Sequence, residues 1–130
     1  MRYVISAALI VSGIIHLLPL SGVLGSARLT SLYGLPFDEP NLTLLMRHRA
    51  VLFGLVGILL IVAAFRPHLR VPAFAVGLVS VVSFLGLAAT GGPYNTAIQR
   101  VVTADWVALV CLAVGIWGYA LERRRASRNQ

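Results

Sequence analysis

Arg47, His48 and Arg49 stand in succession at the head of an apolar run, Ala50 to Phe65. That run is shorter than the roughly twenty residues a helix needs to cross a hydrocarbon core. If it crosses, part of the triplet sits at or just inside the membrane boundary, where ionisable groups are costly and usually have a reason. His16 and Asp105 interrupt other apolar runs in the same way. A guanidinium, an imidazole and a carboxyl group brought together can hold an anionic or carbonyl head group and move protons beside it.

Little else in the chain offers chemistry. There is no Gly-x-Gly-x-x-Gly, no P-loop, no His-x-x-x-His and no Cys-x-x-Cys. Three scattered histidines could ligate a metal or haem only across helices, so no metal and no cofactor is expected. Cys111 stands alone, makes no intrachain disulfide and reads as a small packing residue.

The elements that must position these groups follow from composition. The chain has 130 residues, enough for a single domain; it is 58% hydrophobic and only 12% charged. An ordinary soluble domain is about 25% charged. With a mean hydropathy of +0.88, the chain cannot cover a soluble globule with polar surface, and an integral membrane protein is the economical reading. Four apolar stretches stand out, about 3–20, 42–65, 71–90 and 97–121. The expected fold is an all-α, four-helix transmembrane bundle. Breaker-rich turns at 66–70 and 91–96 separate the later helices. The first connection, 21–41, is long, and Ala27–Tyr33 has helical composition. It ends in Asp38-Glu39-Pro40-Asn41, a helix-start signature in which Asp38 or Glu39 caps and Pro40 fills the first turn.

The formal charge of +7 could indicate nucleic acid, but the basic residues are all arginine and lie at segment ends. No nucleic-acid partner is expected. Arg2, Arg66, Arg70, Arg123, Arg124, Arg125 and Arg128 fall on one side, and Arg28, Arg47, Arg49 and Arg100 on the other. The positive-inside rule then places both termini of a multi-pass protein in the cytoplasm, and the all-arginine usage, as from a GC-rich genome, points to a bacterial inner membrane. Arg123, Arg124, Arg125 and Arg128, in the tail 122–130, read as a membrane-surface anchor. Residues 1–27 also resemble a signal peptide with Gly25-Ser26-Ala27 as a cleavage site. The long apolar stretch and His16 favour a retained helix instead.

Depth gathers the polar groups. Arg49 precedes Arg66 by as many residues as Asp105 precedes Glu122, so both lie about 25 Å above the inner helix ends at 1.5 Å per residue. His16 comes out about 21 Å above Arg2 by the same rise. Tyr94, Asn95 and Arg100 cap this layer from outside. On the second helix, Arg47 shares a face with Ala50, Gly54, Gly57, Ile61 and Ala64, and small residues mark close helix contacts in membranes. Arg47 is therefore expected to face the bundle. Arg49, about 200° away around the helix, is expected to snorkel to the head groups. On the third helix, Gly77, Ser80, Ser83 and Gly86 read as a packing stripe with no chemistry.

Two readings of the layer follow. In the first, Arg47 and Asp105 form a structural ion pair that fixes helix assembly, and His16 bonds a backbone carbonyl or Ser12. In the second, Arg47, His16, Asp105, Tyr94, Asn95 and Arg100 surround an outward-side pocket for a hydrophobic ligand, in a binding or accessory component. The enzyme alternative acts on a lipid or isoprenoid quinone. A third class is a proton-coupled transporter that works as a dimer. Expected partners are membrane lipids, a quinone or lipid-like ligand, and further copies or subunits of a membrane complex.

Leu32-Tyr33-Gly34-Leu35, Asp38-Glu39-Pro40-Asn41-Leu42, Met46 to Gly54, Gly92-Pro93-Tyr94-Asn95 and Arg100 to Asp105 resemble a family of small bacterial inner-membrane proteins. The family is similar in size and helix count to DoxX-like four-helix membrane proteins. The resemblance implies a fold and no mechanism. Some of its members carry the label phosphopantetheine adenylyltransferase. In this chain no His is followed by Gly-His and no strand–helix alternation exists, which argues against that activity.

Overall fold

A computed structural model describes residues 1–128; residues 129 and 130, the end of the expected basic tail, lie outside the described residues. Helix α1 spans Arg2–Leu17 and runs on as a 3-10 helix through Leu18–Leu24. A short α2, Ser26–Tyr33, is followed by α3, Pro40–Phe65. A 3-10 turn, Pro67–Leu69, leads into α4, Arg70–Thr90, and α5 covers Thr96–Arg128. No strand forms among the described residues. Four helical segments are long and apolar enough to cross a membrane: residues 2–24, 40–65, 67–90 and 96–128.

The turn signals act as their chemistry dictates. Glu39 caps α3, its carboxylate accepting from the backbone N–H of Asn41 at 2.8 Å and of Leu42 at 2.6 Å. Pro40 occupies the first turn, where a missing N–H costs nothing. The two backbone donors, Asn41 before Leu42, hold the Glu39 carboxyl below its ordinary range. Gly34 ends α2 at φ 66°, a left-handed conformation that suits glycine.

Neighbouring helices are antiparallel. Ser6 donates to the Ala64 carbonyl at 2.8 Å, near one end of the α1–α3 contact. Further along, a Cβ on Gly57 would lie 2.9 Å from the Gly13 carbonyl oxygen, and one on Gly13 would lie 2.9 Å from the Gly57 oxygen. The two backbones touch there, as small residues permit when apolar burial no longer drives association. Phe74 of α4 fills the space above Gly115 of α5, and Leu60 and Leu112 close over Gly77. The helix order around the bundle is α1, α3, α4, α5, with α1 and α4 on one diagonal and α3 and α5 on the other.

Arg70, expected in a surface turn, is buried at the start of α4 and meets Glu122 of α5 at 3.4 Å. This is the one ion pair among the described residues. Arg123, Arg124, Arg125 and Arg128 lie exposed on the last turns of α5, which runs well past residue 121. At the opposite end, Leu29, Tyr33 and Phe37 form a small second core over the helix ends, with Met46, Ile98 and Val101 packed against it. The first connection is therefore a folded cap, and it roofs the candidate site.

Candidate functional site

Beneath that cap lies a cavity of about 260 Å³. Leu18 and Pro19 of the 3-10 segment, Leu32 and Tyr33 of α2, Arg49 and Phe53 of α3, and Arg100, Ala104 and Asp105 of α5 line it. Most of this surface is apolar. Arg49, Arg100 and Asp105 supply its charge.

Arg49 is the arginine of the triplet that turns inward. Its guanidinium carbon lies 4.8 Å from the Phe53 ring centre, 5.6 Å from that of Tyr33 and 5.8 Å from that of Phe84. Rings at such distances hold a cation by their negative faces. Nη1 also donates to the Tyr33 hydroxyl at 3.2 Å. A guanidinium has five N–H donors, so this one hydrogen bond leaves most of them unfilled.

The expected role of Arg47 is corrected. Its side chain is exposed, and Nε donates to the Val23 carbonyl at 2.9 Å. The face it shares with Gly54 and Gly57 does make the close helix contact, but the partner is α1 and its 3-10 extension. The Leu20 side chain covers Gly54 and Leu17 covers Gly57. Arg47 therefore looks toward α1, away from α5, and the expected Arg47–Asp105 ion pair does not form. Asp105 is 5% exposed, and the cation whose field reaches it is Arg49. No described residue hydrogen-bonds its carboxyl group, and no cation lies in ion-pair contact with it.

The other candidates separate. Arg100 lies exposed at the cavity wall. His16 is buried outside the cavity lining: Nδ1 donates to the Ser12 carbonyl at 2.8 Å, and Nε2 faces the Ser80 hydroxyl at 3.3 Å. Its ring lies 5.8 Å from that of Phe53. The carbonyl bond fits the structural reading of His16, and Ser80 proves more than packing because it ties α4 to α1. Asn95 is a tether: its Oδ1 accepts from Ile98 N–H at 2.8 Å, capping α5, and Nδ2 donates to the Tyr33 carbonyl at 2.9 Å. Tyr94 is exposed and lines neither cavity at this end. His48 is exposed as well.

A second hollow of about 320 Å³ lies on the other side of Arg49 and Tyr33, which belong to both walls. Leu35, Phe37, Leu42, Met46, Phe84 and Ile98 form most of the rest of its lining. Sequence reading missed the aromatic ring set around Arg49. One signal was available: Phe53 follows Arg49 by four residues, the spacing of neighbours on one helix face.

No group of three or more His, Cys, Asp or Glu able to hold a metal occurs among the described residues. No protein-family model, curated protein or solved structure matches the chain.

Proposed function

We propose that this chain is a small bacterial inner-membrane protein that binds a hydrophobic ligand by its polar head, with Arg49 as the principal anchor. The observation that carries this reading is the state of Arg49: three aromatic rings hold its guanidinium at a cavity wall, and most of its donors are unfilled. A structural arginine in an apolar site gains most by closing on the nearest carboxylate. Arg49 stays apart from Asp105 although both line the same cavity. At about 260 Å³ the cavity lies just below the range of whole-ligand pockets, about 300 to 1,000 Å³. That space suits a head group, with the apolar chain leaving between helices into the bilayer. The arginine bias gives the orientation: both termini cytoplasmic, and the capped end with its cavity on the outer side. The motif resemblance to small bacterial inner-membrane proteins supports the same location.

The test is native mass spectrometry of the detergent-purified protein with lipid extraction. A lipid or quinone should co-purify with the wild-type chain, be lost in Arg49→Ala and persist in Arg47→Ala. Absence of any ligand from the wild-type protein, or equal retention in Arg49→Ala, would sink the proposal.

A further inference from the structure

Two cations and a carboxyl group line one largely apolar cavity, and the carboxyl is not closed by either cation. Arg49 approaches from α3, Arg100 and Asp105 from α5. A simple anion would satisfy the arginines and bring a second negative charge against Asp105. An uncharged head would leave the charges unmatched. A molecule carrying an anionic and a cationic group a few bonds apart completes both sides of the open pair.

We infer that the head group held here is an ammonium phosphodiester, as in an ethanolamine phospholipid, with the phosphate toward Arg49 and Arg100 and the primary ammonium toward Asp105. This rests on the ligand-binding reading above and specifies its ligand. The phosphate suits a guanidinium with free donors, since charge-assisted and paired N–H bonds to phosphate are among the strong ones. A primary ammonium brings three donors to a carboxyl group that has no protein donor. The lipid source is favoured over a free zwitterion by the second hollow. It adjoins the head site across Arg49 and Tyr33, and apolar side chains such as Leu42, Met46 and Phe84 line it. A soluble molecule has no use for that surface.

The test uses the full chain in micelles offered equal amounts of ethanolamine, choline and glycerol phospholipids with identical acyl chains, read by native mass spectrometry. The ethanolamine lipid should be retained about tenfold over the other two, the worth of one charge-assisted hydrogen bond. The choline comparison needs no variant, because a quaternary ammonium keeps the charge and lacks the donors. In Asp105→Asn the preference should vanish while lipid is still bound, and in Asp105→Glu it should survive in part. Equal retention of the three lipids by the wild-type protein overturns the inference and leaves the proposed function standing. A preference unchanged by Asp105→Asn also overturns it. Loss of all lipid from the wild-type protein removes both. Displacement of bound lipid by an equal concentration of soluble phosphoethanolamine would overturn the lipid assignment; resistance to it supports the lipid.

Discussion

Arg49 and Asp105 line one cavity from two parallel helices and do not touch. The aromatic rings of Tyr33, Phe53 and Phe84 hold the arginine on its side. Replacing Phe53 with Leu removes the nearest ring, which lies 4.8 Å from the guanidinium carbon. Cation–ring contacts are worth about 0.5–2 kcal/mol, so ligand retention should fall several-fold in Phe53→Leu with the bundle intact. Unchanged retention at matched protein stability would show that the ring does not position Arg49.

The Gly13–Gly57 contact predicts a steep packing penalty. A valine at position 57 directs its Cβ at the Gly13 carbonyl oxygen, a backbone atom that cannot turn aside. Gly57→Val should cost about 1–3 kcal/mol by unfolding in detergent, the usual range for overpacking. Gly86→Val is the matched control, because a Cβ there meets nothing within 4 Å. Equal effects at the two positions would refute the contact.

Arg70 and Glu122 clamp the opposite end of the bundle. Arg70 is 4% exposed, and its Nε already has no partner. Glu122→Gln removes the counter-charge and leaves a buried cation with poorer acceptors. The expected loss is on the order of 1–3 kcal/mol, with the half-open glutamate keeping it below the cost of a fully buried pair. The double variant Arg70→Met, Glu122→Gln should recover part of it. A double variant less stable than either single one would contradict this account.

How far the sequence revealed all this depends on which physical signal each residue carries. The apolar runs, and the breakers between them, mark helices to within a few residues. Glu39-Pro40 shows its cap because capping is a local event. Helix α5 outruns its expected end at residue 121 because Leu121 to Arg128 is rich in good helix formers. The stripe through Gly54 and Gly57 signals that some helix comes close without saying which one. Stripe and depth together therefore point Arg47 at α5 and Arg49 outward, whereas the close neighbour is α1 and its extension, which leaves Arg49 on the cavity side. Asn95 has the chemistry of a ligand-binding residue and of a helix cap, and only its place before Thr96 separates them. Arg70 has the sequence context of any arginine in a turn, and its partner Glu122 lies 52 residues away, beyond the reach of a local signal.

The Glu39 cap makes a pH prediction. Its carboxyl titrates below the ordinary glutamate value in the folded chain because the Asn41 and Leu42 amides bond its charged form. The cap's contribution is therefore full above the unfolded value and lost as pH falls through the lowered folded one. In an acid titration, the Asn41 and Leu42 amide resonances should move together, with a midpoint below that of an unconstrained glutamate. In Glu39→Gln the transition should disappear. A midpoint at or above the ordinary value would mean that the carboxylate does not cap α3.

The His16–Ser80 bond has a mechanical consequence. It bridges the α1–α4 diagonal of the bundle. The other diagonal, α3 to α5, has no such bridge at the cavity, where the open space between Arg49 and Asp105 lies. The four helices touch around a closed ring, and a frame whose sides are set by contact cannot lengthen one diagonal without shortening the other. The His16–Ser80 bond therefore acts at a distance: by setting the α1–α4 spacing it also sets the gauge between Arg49 and Asp105.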